Sequence, residues 1–284
     1  MLLVVFVFLA TAHPDVFAQS QLDYARFLMN DQDYFRAISA YKQIAYFSND
    51  AETKNFCLLQ IARAYLKSNR FKASIRFLSR LLNQPELDDG YSTRAQIYLG
   101  LNYYGLRTYW MAEDYFQKVV PTDTTGFALY YLALLESERG DWKAASETYK
   151  QVFQQFGPRQ VGILSKRLSE EILKGEGIRS KNPYLAVGLS TILPGSGQFY
   201  CHHYYDGIQA FLYVSAFAFA TYAAYKYDKN FKDNYLTTYV GICVTSLFHI
   251  GNIIGAQRTT SYYNLKQKQR FLGQMRKKAF SIEY

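Results

Sequence analysis

One pattern limits what this chain can fold into more than any other: between about Gln21 and Gln160 it repeats itself. Tyr34, Phe71, Tyr109 and Trp142 are each followed three positions on by a small residue and, four beyond that, by a large apolar one. The small residues are Ala37, Ser74, Ala112 and Ala145, and the large ones are Tyr41, Leu78, Phe116 and Tyr149. The period therefore runs 37, 38 and 33 residues. Twelve positions before each small residue stands another, at Ala25, Ala62, Gly100 and Ala133, and three beyond those lie Leu28, Tyr65, Tyr103 and Glu136. Spacings of three and four put side chains on one face of a helix. A small residue on each of two antiparallel helices lets the backbones approach, and the large residue a turn later fills the space beside them. An ordinary bundle of amphipathic helices would show apolar periodicity, but not paired small positions at a fixed offset.

This two-helix unit resembles the tetratricopeptide repeat, whose period is about 34 residues. Four degenerate units fit over residues 19–160. The resemblance implies an all-α chain that begins as a tetratricopeptide-like helical-hairpin solenoid, with the residues just named as its packing positions. Residues 161–181 read as a capping helix and linker: the segment from Gln160 is amphipathic, and Gly175 and Gly177 supply a stop. Solenoids of this kind bind a peptide or protein in a groove lined by first-helix side chains, so a protein partner is expected. Tyrosines can anchor such a partner, although the pattern alone does not separate groove tyrosines from core ones.

After Lys181, Asn182 and Pro183 the composition shifts, and a membrane domain is expected over residues 182–257. Three apolar stretches follow, Tyr184–Tyr200, Ile208–Tyr225 and Tyr235–Gly255. The last two carry no ionisable side chain except tyrosines, Cys243 and His249, and are long enough to cross a bilayer. Tyrosines flank them, as an interfacial belt requires. The first stretch is 17 residues long and broken by Pro194-Gly195, so it reads as a short kinked crossing or a re-entrant piece. Ala216, Ala220 and Ala224 share one face of the second stretch, and Gly251 and Gly255 share one face of the third. Small residues at four-residue spacing let membrane helices pack backbone to backbone, and these read as the seam of the hairpin itself. Contact with another membrane protein is the competing use.

The run Leu193-Pro194-Gly195-Ser196-Gly197-Gln198-Phe199-Tyr200, with Gly207 seven residues on, carries a second resemblance. It is similar to the small bacterial membrane domain in which Pro-Gly-x-Gly-Gln-x-Tyr precedes a hydrophobic hairpin, related to the two-transmembrane-helix domain family. That domain is often attached to tetratricopeptide repeats in envelope proteins. Ala256-Gln257-Arg258 and Tyr263-Asn264 look like its trailing helix, so the resemblance spans about residues 183–265. It implies that Pro194, Gly195, Gly197, Gln198, Tyr200 and Gly207 form the membrane motif. The chain departs at His202, where the family commonly has glycine, and the tight turn a glycine allows is expected to suffer there. The resemblance implies location and architecture, not a reaction.

Leu2–Ala12 is apolar but too short to span, and Val16-Phe17-Ala18 precedes polar Gln19-Ser20. Residues 1–18 therefore read as a secretory signal cleaved near Ala18, although no Lys or Arg precedes the apolar run. The net charge of +9 lies partly beyond the last apolar stretch, in Arg258, Lys266, Lys268, Arg270, Arg276, Lys277 and Lys278 of a 258–284 tail. Basic residues just past a span suit the cytoplasmic side and anionic lipid, so lipid rather than nucleic acid is the expected contact. Exported repeats with three crossings would put this tail in the cytoplasm. The expected location is thus the bacterial inner membrane with the repeats in the periplasm. Cys57, Cys201 and Cys243 give no disulfide framework and read as small apolar side chains.

Cys201, His202, His203 and Asp206 place four potential metal ligands within six residues. Adjacent histidines in a turn point apart, however, and the usual ligand gaps are missing. His249 is an ionisable group inside a span, a functional candidate by position, for which a neutral imidazole bonded to a neighbouring helix is the simpler account. Gly195-x-Gly197 is a fragment, not a phosphate loop. The sequence points to a non-enzymatic membrane-anchored scaffold without cofactor or metal, binding a protein partner through its repeats in envelope assembly or secretion. One alternative is a subunit of a transport or membrane-insertion complex that acts through its hairpin. A third reading is a metal-dependent membrane enzyme using His202, His203 and His249. Neither the partner nor the oligomeric state follows from the sequence.

Overall fold

The structure is a computed structural model that describes residues 14–85 and 87–282, with residues 14–18 described by backbone alone. The signal segment read over residues 1–18 thus lies outside the described residues, except where Pro14 opens the first helix. Among the described residues there are thirteen α-helices and no strand. The chain divides into two compact units, one running to Ile172 and taking in the chain again from Ala279, the other comprising Leu173–Lys278.

Eight helices of the first unit form four hairpins. They are α1 (Pro14–Asn30) with α2 (Tyr34–Phe47), α3 (Ala51–Lys67) with α4 (Phe71–Leu82), α5 (Asp89–Gly105) with α6 (Tyr109–Val119), and α7 (Phe127–Arg139) with α8 (Trp142–Phe156). A ninth helix, α9 (Gln160–Ile172), packs on α8 and closes the stack. Helices α2, α3 and α5 begin where the sequence supplies an acceptor. Asp33 Oδ1 accepts the Arg36 N–H at 3.1 Å, Asp50 Oδ2 that of Thr53 at 2.7 Å, and Asp88 Oδ2 that of Gly90 at 2.7 Å. Each satisfies an amide that a helix start leaves open.

The turn inside every hairpin is the same. Gln32, Asn69, Arg107 and Gly140 adopt the left-handed backbone, with φ of 62°, 59°, 60° and 93°. They recur at the 37-, 38- and 33-residue spacing of the repeats. In each unit the next N–H donates to a carbonyl five residues back: Asp33 to Leu28, Arg70 to Tyr65, Thr108 to Tyr103 and Asp141 to Glu136. This doubly bonded helix ending favours glycine, yet glycine stands there only in the fourth unit. The other three turns each carry roughly 1 kcal/mol of backbone strain.

The small positions are where the helices touch. Ala25, Ala37, Ala62, Ser74, Gly100, Ala112, Ala133 and Ala145 are all buried. A Cβ at Gly100 would lie 2.4 Å from the Phe116 ring, so the third hairpin closes because that side chain is absent. Tyr41, Phe116 and Tyr149 are buried beside them, and Tyr65 and Tyr103 each stack at 5.5 Å on Phe77 and Tyr115. The serine of the second unit is bonded in place. Ser74 Oγ donates to the Ala62 carbonyl at 2.8 Å and accepts from Asn102 Nδ2 at 2.9 Å. Burial pushes the Cys57 thiol up to about 12, which leaves it an unreactive apolar group.

The second unit opens with a 3-10 turn, Leu173–Gly177, followed by α10 (Pro183–Ile192), α11 (Ser196–Tyr200), α12 (Tyr204–Phe231) and α13 (Leu236–Ala279). Pro183 at the first helical position and Asn182 Oδ1, which accepts the Tyr184 N–H at 2.9 Å, start α10. Helices α12 and α13 are long and apolar enough to cross a membrane. Asp228 Oδ2 accepts both the N–H and the hydroxyl of Thr238 at 2.8 Å, tying the end of α12 to the start of α13. The first apolar stretch supplies no third crossing helix. The 10 residues of α10 rise only about 15 Å, half the hydrocarbon thickness, before the chain turns. The first stretch is thus a short helix broken at Pro194-Gly195, and two helices among the described residues are long and apolar enough to cross. The basic residues from Arg258 to Lys278 continue α13 as one helix.

Candidate functional site

The membrane motif closes around Asn252 of α13. Gly195, at φ +87°, donates its N–H to Asn252 Oδ1 at 3.0 Å, and Asn252 Nδ2 donates to the Ser190 carbonyl at 3.0 Å. Gln198 Nε2 donates to the Asn252 carbonyl at 3.1 Å, while Gln198 Oε1 accepts the Ser190 hydroxyl at 3.0 Å. The Gly197 N–H donates to Ser190 Oγ at 2.9 Å. Ser190, Gln198 and Asn252 are all buried, a setting in which unpaired polar groups would be expensive. Two glycines are required by close backbone approach. A Cβ on Gly195 would sit 2.1 Å from the Gly207 carbonyl oxygen, and one on Gly197 would sit 2.2 Å from that of Ala186. Pro194 directly precedes this turn. The Tyr200 ring lies 4.6 Å from Lys181 Nζ and the Tyr263 ring 4.9 Å from it. Asn264 exchanges bonds of 2.8 and 2.9 Å with the Lys181 backbone, so the trailing Tyr-Asn pair pins the approach to α10.

His202 does not lose the turn, which corrects the expectation. It takes φ +62°, and the His202 and His203 N–H groups donate to the Phe199 and Gln198 carbonyls at 2.9 and 3.0 Å. The helix ending is the one that closes every repeat, with a strained residue again in place of glycine.

Of the small residues expected to form the hairpin seam, Ala216, Ala220 and Gly251 are exposed, and Ala224 and Gly255 are half-buried. Nothing lies within 4 Å of where a Gly251 Cβ would be. The contact between α12 and α13 runs instead through Phe217 on Phe248 at 4.1 Å, Thr221 with Thr245 at 2.9 Å, and Gly241 against Thr221. The seam reading is corrected accordingly: spacing defines a face, not what the face meets.

The titratable residues beside the motif diverge. Cys201 is buried with its Sγ 3.1 Å from Thr260 Oγ1. His202 Nδ1 meets Tyr204 Oη at 3.1 Å, and His203 Nδ1 meets Asp206 Oδ2 at 3.3 Å. His249 Nε2 lies 3.2 Å from the Thr191 carbonyl. Among the described residues no group of three His, Cys, Asp or Glu could hold a metal ion.

The second candidate lies in the repeat unit. A cavity of about 470 Å³ opens against α3, α5 and α7, with Arg63, Leu66, Lys67, Tyr98, Leu101, Tyr104 and Tyr131 in its wall. All belong to the first helices of their hairpins. Asn69, Phe71 of the second helix α4 and Gly105 also line it, and Phe280 and Ile282 complete the wall. The Phe280 ring lies 5.7 Å from Tyr104 and 6.2 Å from Tyr131, and Ile282 is buried. Tyr130 Oη donates to the Ala279 carbonyl at 2.7 Å, and burial pushes its phenol above the ordinary range, so it remains a donor. Tyr41, Tyr130 and Tyr149 fill the core away from the cavity, whereas Tyr98, Tyr104 and Tyr131 reach its wall, Tyr98 and Tyr131 while buried themselves. Sequence reasoning gave Phe280 and Ile282 no role. Two large apolar residues directly after a basic run were the available signal.

Fold and sites together define an all-α chain, a tetratricopeptide-like helical-hairpin solenoid followed by a hairpin of two helices apolar enough to cross a membrane. No protein-family model matches the chain, and no curated protein matches it.

Proposed function

We propose that this chain is a non-enzymatic, membrane-anchored adaptor whose repeat groove binds a peptide segment of a protein partner, in envelope assembly or secretion. One observation carries the reading: the cavity beside Tyr98, Tyr104 and Tyr131 has a peptide segment, the chain's own Phe280–Ile282, as part of its wall. First-helix faces of helical solenoids are suited to this use, and tyrosine offers apolar area with a polar tip. The closed network around Asn252 supports an anchoring role for the second unit. Photo-reactive benzoylphenylalanine at Leu101 should crosslink a discrete protein in native membranes, and the same probe at exposed Lys150 should not. Absence of any adduct at Leu101 overturns the reading.

The two helices apolar enough to cross a membrane, α12 and α13, support a topology with an even number of crossings. An export signal over residues 1–18 would put the repeats in the periplasm; Lys226, Lys229 and Lys232 at the hairpin turn then suit the cytoplasm, while the basic run from Arg258 to Lys278 lies on the periplasmic side against the same preference. A phosphatase active only after export, fused after residues 180, 230 and 284, should be active, silent and active in turn. Silence after 284 would restore three crossings.

A further inference from the structure

The seat of the C-terminal segment selects side chains. The Phe280 ring stacks over Tyr131 with planes 26° apart and tilts at 54° against Tyr104. Two residues on, Ile282 is only 7% exposed, and Tyr130 fixes the backbone just before through the Ala279 carbonyl. Phe280 nevertheless keeps 43% of its surface bare. The cavity beside it stays open, with Arg63 and Lys67 in its wall. Ala279 and Ile282 are buried to the degree of core residues, and Phe280 between them keeps an open face.

We propose that the groove recognises a peptide bearing an aromatic residue and a β-branched aliphatic residue two positions on, and that Phe280–Ile282 is the resident such a partner displaces. This deepens the adaptor reading and rests on it. A tethered segment competes at an effective concentration on the order of millimolar, so the seat stays filled until a better-matched segment arrives.

The test uses the full chain in detergent micelles and a fluorescent peptide, Ala-Phe-Ser-Ile-Glu-Tyr, added in trans. Binding should be weak to the native chain. It should be about ten-fold tighter or more once the tethered competitor is removed, both by truncation after Ala279 and by the full-length Phe280→Ala/Ile282→Ala change. The same peptide with alanine for its Phe and Ile should not bind. Equal binding to all three chains, or none to altered chains that keep their helix content, overturns the proposal. So does failure of both altered chains to fold, because the segment would then be core. A native dimer that vanishes in the Phe280→Ala/Ile282→Ala chain would assign the seat to a second copy and overturn it too. If the peptide binds as expected but no partner crosslinks at Leu101, the recognition site stands and the adaptor reading alone falls.

Discussion

Asn252 holds Gly195 in its turn, accepting the glycine N–H on Oδ1 at 3.0 Å while its own amide reaches the Ser190 carbonyl at 3.0 Å. The side chain therefore satisfies two backbone groups of a turn that has no other partner for them in the pattern described. Asn252→Leu keeps the branched shape with some added bulk and leaves both groups buried and unpaired, each costing about 1–3 kcal/mol. The expected loss is about 2–5 kcal/mol, read as a lower melting temperature in detergent. Gln198→Leu should weaken the same network, and the double change should cost less than the two singles added, because they share bonds. Strict additivity would show that the network does not act as a unit.

The left-handed turns offer the opposite kind of change. Gln32, Arg107 and His202 each hold φ near +60°, a conformation glycine adopts without strain. Replacing any one by glycine should stabilise the chain by about 0.5–1 kcal/mol, after allowing for the extra freedom glycine gains when unfolded. Gly140→Ala should do the reverse by a similar amount. Thermal melts of the four chains check this, and a Gln32→Gly chain that melts below the native one would sink the account.

Gly100 and Phe116 share the tightest contact among the repeats. The absent Cβ would be 2.4 Å from the ring, so Gly100→Ala forces the fully buried Phe116 to move. Overpacking of this kind costs about 1–3 kcal/mol. Phe116→Leu in the same chain should recover part of the loss, giving a coupling energy that separate melts of the singles and the double measure. Independent losses from the two changes would mean that they do not meet.

What was legible in the sequence was what recurs. The small residues from Ala25 to Ala145 announced themselves because helix contacts within a hairpin repeat at a fixed spacing. The turn residues escaped because Gln32, Asn69 and Arg107 hide a glycine-type position that only Gly140 displays. The glycines of the membrane motif were visible, but Asn252 was not read as their partner, since it lies 57 residues from Gly195 in another helix. Gly251 and Ala216 misled for the reason that a stripe names a face without naming its neighbour. The tail contact was out of reach: Tyr130 and Ala279 are 149 residues apart and belong to no common pattern.

Glu136 occupies the position held by Leu28, Tyr65 and Tyr103 in the other units. It is half-buried, and its Oε2 has no hydrogen-bond partner. Burial raises its carboxyl above the usual range, with the Thr148 hydroxyl and Arg139 pulling partly back. A raised value means the folded chain holds this proton more tightly than the unfolded one. Stability from this group is therefore full below the unfolded value, about 4.3, and declines as pH rises through the folded value. Glu136→Gln removes the ionisation and should raise the melting temperature at neutral pH. The gain is at most about 1 kcal/mol, because the half-exposed site is screened by solvent. It should vanish near pH 4, where Glu136 is largely protonated in both states. Melts of the two chains at both pH values decide it. An equal gain at both would credit the amide's packing and remove the charge from the explanation.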